Sequence, residues 1–201
     1  MTKVKICGIT NEEDAQVAAE LGASAIGFIF AESKRKVTPE QAARISRNLP
    51  PFIFRVGVFV NADPRETKDI YDYVGLDLIQ LHGEEEPFWA DVFPHRIIKT
   101  IFKEIPDGWV GKARAFLIDA VVAGQRGGTG VCADWSQAAY YARQYPLILA
   151  GGLHPGNVSE AIRKVKPVMV DVSSGVEIMP GKKDRKKLAD FFKAVREGEQ
   201  R

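Results

Sequence analysis

Two residues have the chemistry and the placement of a proton-transfer pair. Cys7 follows the apolar run Val4 to Ile6, and Asp119 follows Ala115 to Ile118. A cysteine so placed is either a small buried hydrophobe or a thiolate base or nucleophile. At its ordinary pKa of ~8.5 a thiol is only a few per cent ionised at pH 7, so a depressed value would help the second role. The aspartate either bonds backbone groups in a turn or, beside apolar walls, keeps a proton it can donate. Three small-residue stretches accompany them: Gly127-Gly128-Thr129-Gly130, Gly151-Gly152 and Ser173-Ser174-Gly175. These make tight turns, or let backbone N–H groups converge on a phosphate. Arg35 in Lys34-Arg35-Lys36 is a solvated loop charge or a fork for a carboxylate, and His82 is a turn histidine or a ligand contact.

Such residues need a scaffold that brings them together. Short apolar runs recur at Val4 to Ile6, Ala25 to Phe30, Val56 to Val60, Leu76 to Leu81, Ile97 to Ile101, Ala115 to Ile118, Leu147 to Ala150 and Val168 to Val172. Most are continuous, the pattern of parallel strands covered on both faces. Helices are expected between them. Thr10 and Glu13 have capping-box spacing, and Thr38-Pro39-Glu40-Gln41 places a cap, a proline and a reciprocal glutamine. Asp63, Asp134 and Asp184 open three more helices, and Pro155 opens another. Strand and helix in alternation make right-handed βαβ units, and eight of them favour closure into a single-domain (β/α)8 TIM barrel over residues 1–201. In the fifth unit Pro106, Gly108 and Gly111 stand where a helix belongs, so helix five is expected to be short or absent.

In that barrel the loops after the strands form the active face, and Cys7, Arg35, His82, Asp119, Gly151, Gly152, Ser174 and Gly175 all fall there. Phosphate-binding turns after the seventh and eighth strands predict a small phosphorylated substrate. The charge run from Lys182 to Lys187 reads as the exposed start of the last helix.

Composition removes other classes. In 201 residues, 28 Lys and Arg against 26 Asp and Glu give a net charge of +2, too small for a surface that wraps nucleic acid. Two cysteines rule out a disulfide scaffold or a four-cysteine zinc site. No apolar run approaches the ~20 residues of a membrane helix, and no leader is seen before the first strand, so a cytoplasmic protein without membrane partners is expected.

The ordered set Lys5-Ile6-Cys7-Gly8-Ile9-Thr10, Ser33-Lys34-Arg35, Arg55 to Val60, Gln80-Leu81-His82-Gly83-Glu84, Gly127 to Gly130, Gly151-Gly152-Leu153, Asp171 to Glu177 and Pro180 to Asp184 resembles the phosphoribosylanthranilate isomerase family of tryptophan biosynthesis. The resemblance runs from residue 3 to about residue 195. It implies an Amadori rearrangement of N-(5′-phosphoribosyl)anthranilate by general acid and base catalysis, with no metal and no organic cofactor. It places the base on Cys7 and the acid on Asp119, sets Arg35 against the anthranilate carboxylate and His82 at the mouth, and assigns substrate contacts to Gly128, Gly151, Gly152, Ser174 and Gly175. The loop Gly130 to Trp135 departs from the family pattern, and Cys132 within it is not expected to be catalytic or to pair with Cys7. Two alternatives remain. A neighbouring phosphate-binding barrel enzyme would carry aspartate at position 7 or a lysine set not found here, and a silent barrel would have lost Cys7, Asp119 or the glycine loops. A monomer and a homodimer are both compatible with the sequence.

Overall fold

The structure is a computed structural model that describes residues 1–119, the short strands at 121–122 and 125–126, and residues 134–200. All eight apolar runs become strands: β1 Lys3–Cys7, β2 Ala25–Ile29, β3 Phe54–Phe59, β4 Leu78–Leu81, β5 Ile97–Ile101, β6 Ala115–Ile118, β7 Leu147–Leu149 and β8 Met169–Val172. Neighbours in sequence pair in parallel, and β1 also pairs with β8, which closes the barrel.

Side chains alternate across each strand, so the barrel has an outer and an inner set. Val4 and Ile6 of β1 and Val170 and Val172 of β8 face outward into the large core shared with the helices. Ala25, Val56, Ile98, Ala115, Leu117 and Ile148 face inward as a separate apolar floor. Cys7, Gln80, His82, Asp119 and Asp171 lie at even spacing from inward residues, and they line the polar mouth above that floor.

The helices are α1 Glu12–Glu20, α2 Pro39–Arg47, α3 Pro64–Val74, the single turn α4 Trp89–Val92, α5 Trp135–Ala142, α6 Val158–Val165 and α7 Arg185–Glu199. Asp63, Asp134 and Asp184 cap α3, α5 and α7 as expected, each carboxylate accepting two backbone N–H groups. Three start signals are corrected. Asn11, not Thr10, caps α1 by accepting from the Asp14 N–H at 2.8 Å, because the Thr10 hydroxyl is committed to the Gly181 carbonyl at 2.5 Å. Thr38 does cap α2, but the Gln41 amide reaches the Thr10 carbonyl at 2.8 Å instead of turning back on its own cap. Pro155 lies in a turn, and α6 begins three residues later, after Asn157.

From Phe102 to Arg114 the described chain is turns and bends without a helix, as the breakers in that stretch predict. Trp109 occupies the space instead. Its ring is buried and sits 5.4 Å from the buried Lys99 ammonium, which also binds the Glu85 carboxylate at 2.7 Å. Two antiparallel ribbons lie outside the barrel sheet, Val121–Val122 with Gln125–Arg126 and Glu177–Met179 with Lys182–Lys183. No helix among the described residues is long and apolar enough to cross a membrane.

The Asp63 cap can be tested by itself. Its carboxylate accepts from the Arg65 and Glu66 N–H groups at 2.8 and 3.2 Å. Asp63→Ala is expected to cost about 1 kcal/mol, a fall of roughly 2–4 °C in Tm by thermal denaturation.

Candidate active site

Residues from seven of the eight strands or their following loops, all but β5, enclose a cavity of about 170 Å³ at the carboxyl ends of the strands. Cys7, Arg35, His82, Asp119, Gly151, Gly152 and Ser174 all line it, so the structure brings together seven of the nine residues singled out in the sequence. Gly175 stands one step behind the wall, and Gly128 lies outside the described residues, as do the rest of its glycine stretch and Cys132.

Cys7 is a buried free thiol at the top of β1. The depressed pKa that would help a base is not what its surroundings give. Burial pushes the thiol up from its ordinary value and the Asp171 carboxylate adds to that, while the Lys5 and Lys183 ammoniums pull against them without prevailing. Lys5, two residues before Cys7 and on the same inner face, is fully buried and binds Asp171 Oδ1 at 2.9 Å. Burial pulls Lys5 down, but Asp171 and Cys7 more than compensate and leave it raised, hence firmly protonated.

Lys183 is the clearest departure from the sequence reading. It belongs to no exposed helix start: its ammonium is buried and donates to the carbonyls of Cys7 at 2.6 Å and Ser173 at 3.2 Å and to Glu177 Oε1 at 2.8 Å. The ribbon Glu177–Met179 with Lys182–Lys183 causes this. It reverses at the turn Pro180-Gly181, and its second strand points successive lysines outward and inward, so Lys182 is exposed and Lys183 is not. Burial lowers the Lys183 pKa despite Glu177.

Glu177 is shared. Arg35 Nε donates to its carboxylate at 2.8 and 3.1 Å and Nη2 at 2.7 Å, a fork on one side of the guanidinium, and Arg35 also lines the cavity. Burial favours the protonated acid, but Arg35 and Lys183 override it and hold Glu177 below the usual carboxylate range. Arg35 is raised in return by those hydrogen bonds. The arginine is therefore no solvated loop charge. Its stem lies over Gly8, where an added Cβ would fall 2.6 Å from Arg35 Cδ.

Across the mouth, His82 Nε2 stands 3.7 Å from Asp119 Oδ2. The other ring nitrogen meets the Gln80 amide at 3.2 Å and the Thr100 hydroxyl at 3.1 Å, and the ring edge packs on Phe102. Side chains from β4 and β5 thus fix the imidazole, and the imidazole in turn faces the carboxyl of Asp119.

Gly151 and Gly152 have φ of +81° and +63°, a left-handed pair that side-chain-bearing residues adopt at a cost. The turn they form lines the cavity. At Gly175 a Cβ would sit 2.0 Å from the Leu153 carbonyl oxygen, so absence of a side chain there lets the loops after β7 and β8 touch. Ser173 lines the cavity, and its buried Oγ has no hydrogen-bond partner among the described residues.

Lys5, Asp171, Ser173, Glu177 and Lys183 were not singled out from sequence as a unit. Period-two counting back from Cys7 would have found Lys5. The others depend on contacts across more than a hundred residues of chain.

Comparison with known proteins follows the same lines. Residues 4–194 match the family model of N-(5′-phosphoribosyl)anthranilate (PRA) isomerase. An N-(5′-phosphoribosyl)anthranilate isomerase of Geobacter sp. strain M21 is 48% identical over 196 residues, covering 95% of this chain and 96% of that one. Among solved structures, a phosphoribosyl anthranilate isomerase in complex with reduced 1-(o-carboxyphenylamino)-1-deoxyribulose 5-phosphate has 43% identity and a TM-score of 0.83, covering 98% of this chain and 99% of that one. A structure of monomers generated from the dimeric Thermotoga maritima enzyme has 40% identity and a TM-score of 0.83 over the same shares.

Gly27, the register partner of Cys7 on β2, is the tightest test of the packing around the thiol. A Cβ there would lie 2.8 Å from Cys7 Sγ and 3.1 Å from Cys7 Cα. Gly27→Ala is expected to cost about 1–3 kcal/mol by overpacking, read as a lower urea midpoint. An unchanged midpoint would contradict that packing.

Proposed function

The chain belongs to the N-(5′-phosphoribosyl)anthranilate isomerase family, and from that premise we propose that it converts N-(5′-phosphoribosyl)anthranilate to 1-(2-carboxyphenylamino)-1-deoxyribulose 5-phosphate in tryptophan biosynthesis, with Asp119 as acid and Cys7 as base. The observation that carries this is the shared cavity: a thiol from β1 and a carboxyl from the end of β6 face one space, with glycine turns and a spare hydroxyl beside it.

In the first step the protonated Asp119 carboxyl gives its proton to the furanose ring oxygen. The C1′–O bond breaks, and the anilino nitrogen lone pair forms the C1′=N bond of a Schiff base. In the second step the Cys7 thiolate takes the C2′ proton. The C–H electron pair becomes the C1′=C2′ bond, the C1′=N pair returns to nitrogen, and the enolamine tautomerises to the C2′ ketone. Carbon 1′ is reduced as carbon 2′ is oxidised, so the rearrangement balances without an external electron acceptor.

The remaining residues supply orientation. Gly151, Gly152, Ser174 and the Ser173 hydroxyl suit the phosphate, with Gly128 assigned to the same group by resemblance and Gly175 shaping the turn from behind. The open side of the Arg35 fork suits the anthranilate carboxylate, and His82 orients Asp119. We place the enzyme in the cytoplasm, where reducing conditions keep a catalytic thiol free.

A cavity of about 1080 Å³ lies at the opposite end of the barrel, over the apolar floor of Ala25, Val56, Leu78, Ile98 and Ile148. Beside it Phe52 is 96% exposed and Phe54 is 42% exposed. We propose that a second copy of this chain covers this end, as the dimeric state of the Thermotoga maritima relative supports. Each phenylalanine so buried contributes about 1.5–3 kcal/mol.

Two expected outcomes follow. Cys7→Ala and Asp119→Asn each lower turnover by at least ~10²-fold, followed as loss of substrate fluorescence, with unchanged circular dichroism; near wild-type rates in both variants contradict the assignment. Light scattering gives a dimer for the wild type and a monomer for Phe52→Glu, and a wild type that stays monomeric at micromolar concentration contradicts the second-copy reading.

A further inference from the structure

The mechanism leaves one buried charge unused. Lys5 is fully buried beneath the mouth, on the same face of β1 as Cys7 and one step deeper. It is the register partner of Asp171 on one side and of Ala25 on the other. Its Nζ donates to Asp171 Oδ1 at 2.9 Å, and its charge acts on the Cys7 sulfur from the same inner face of β1. Gly27 makes this possible: the space its missing side chain leaves is filled by Cys7 Sγ and by Lys5 Cε, 2.8 and 3.2 Å from where a Cβ would be. Sulfur and ammonium stem both border the slot that Gly27 leaves open.

We propose that Lys5 is the positioning residue for the base, its ammonium being the counter-charge that makes the Cys7 thiolate attainable, with Asp171 holding that ammonium in place. The inference rests on Cys7 being the base. A buried ion pair adds little net stability, but beneath a thiol it selects a protonation state. When the thiol proton leaves for solvent, the ammonium on the same strand face balances the new charge. When the thiolate then takes the C2′ proton, sulfur is neutral again and Lys5 returns wholly to Asp171. No proton moves on or off Lys5 in the cycle.

The other charges facing Cys7 fit the assignment. Lys183, from the ribbon after β8, holds the Cys7 carbonyl and pulls weakly on the thiol, with its own charge matched by Glu177. Arg35, from the loop after β2, is matched by the same glutamate, and Asp171 opposes ionisation. Next to Cys7 on β2 stands Gly27, which carries no charge. Of the cations, Lys5 has the largest influence on the sulfur after burial itself.

The test measures the thiol apart from turnover. In a Cys132→Ser background, which leaves Cys7 as the sole cysteine, the rate of iodoacetamide alkylation is followed against pH, beside the pH dependence of kcat/KM. Lys5→Met removes the counter-charge, so the thiolate fraction at a given pH falls: alkylation at pH 7.5 is expected to slow about tenfold, and both midpoints to rise by about one unit. Lys5→Arg keeps the charge and restores both midpoints toward wild type. The double variant Lys5→Met/Asp171→Leu leaves no buried charge unpaired, so it stays folded, and its midpoints still rise, by less. An unmoved alkylation midpoint in Lys5→Met and in the double variant overturns the role of Lys5 and leaves the base assignment standing. An alkylation midpoint that moves while the kcat/KM profile does not overturns both.

Discussion

The pairing of β1 with β8 is the constraint on which the molecule depends. It joins Lys3 to Met169, Val4 to Val170, Lys5 to Asp171 and Ile6 to Val172, and it turns an open sheet of eight strands into a barrel. Without it Cys7 would stand at a sheet edge and Asp171 at the opposite edge. With it, the first and last strands place their side chains side by side, and Lys183 ties the top of the junction by binding the carbonyls of Cys7 and Ser173 together.

Closure also forces a choice about charge. The floor of the barrel is apolar, and an ion buried there without a partner would cost several kcal/mol. The mouth therefore carries its charges in paired sets: Lys5 with Asp171, and Glu177 shared by Arg35 and Lys183, which leaves that set one positive charge in excess. Cys7 lies between the sets. Burial keeps it a thiol at rest, and the adjacent ammoniums limit the cost of ionising it. A resting thiol on one side and a carboxyl fixed by His82 on the other give the two unlike environments that acid and base chemistry at one pH requires.

The scaffold was legible because it is local. Continuous apolar runs marked all eight strands, and helix-breaking residues marked the helix-less fifth unit. Alternation then predicts which side of each strand faces the mouth, which is why Cys7, His82 and Asp119 converge as residues read singly. What escaped were pairings set by the fold. Lys183 sits in a run of charges that looks like a solvated helix start, and only the ribbon that reverses at Gly181 buries it. Thr10 has the spacing of a cap, yet Gly181 takes its hydroxyl from 171 residues away. Arg35 resembles a loop charge until Glu177 is brought beneath it. The thiol's raised pKa was equally hidden, since burial and Asp171 are properties of the closed barrel and not of the residues near Cys7 in sequence.

The central claim is that one molecule of substrate spans the mouth with Cys7 and Asp119 on either side of its reacting carbons. A crystal structure of the protein with reduced 1-(o-carboxyphenylamino)-1-deoxyribulose 5-phosphate measures this directly. The account predicts Cys7 Sγ about 3.5 Å from C2′, the Asp119 carboxyl on the other side of the sugar chain, and the phosphate on the turns after β7 and β8. A ligand bound with C2′ beyond reach of the sulfur, or with its phosphate on the Arg35 side, would contradict it.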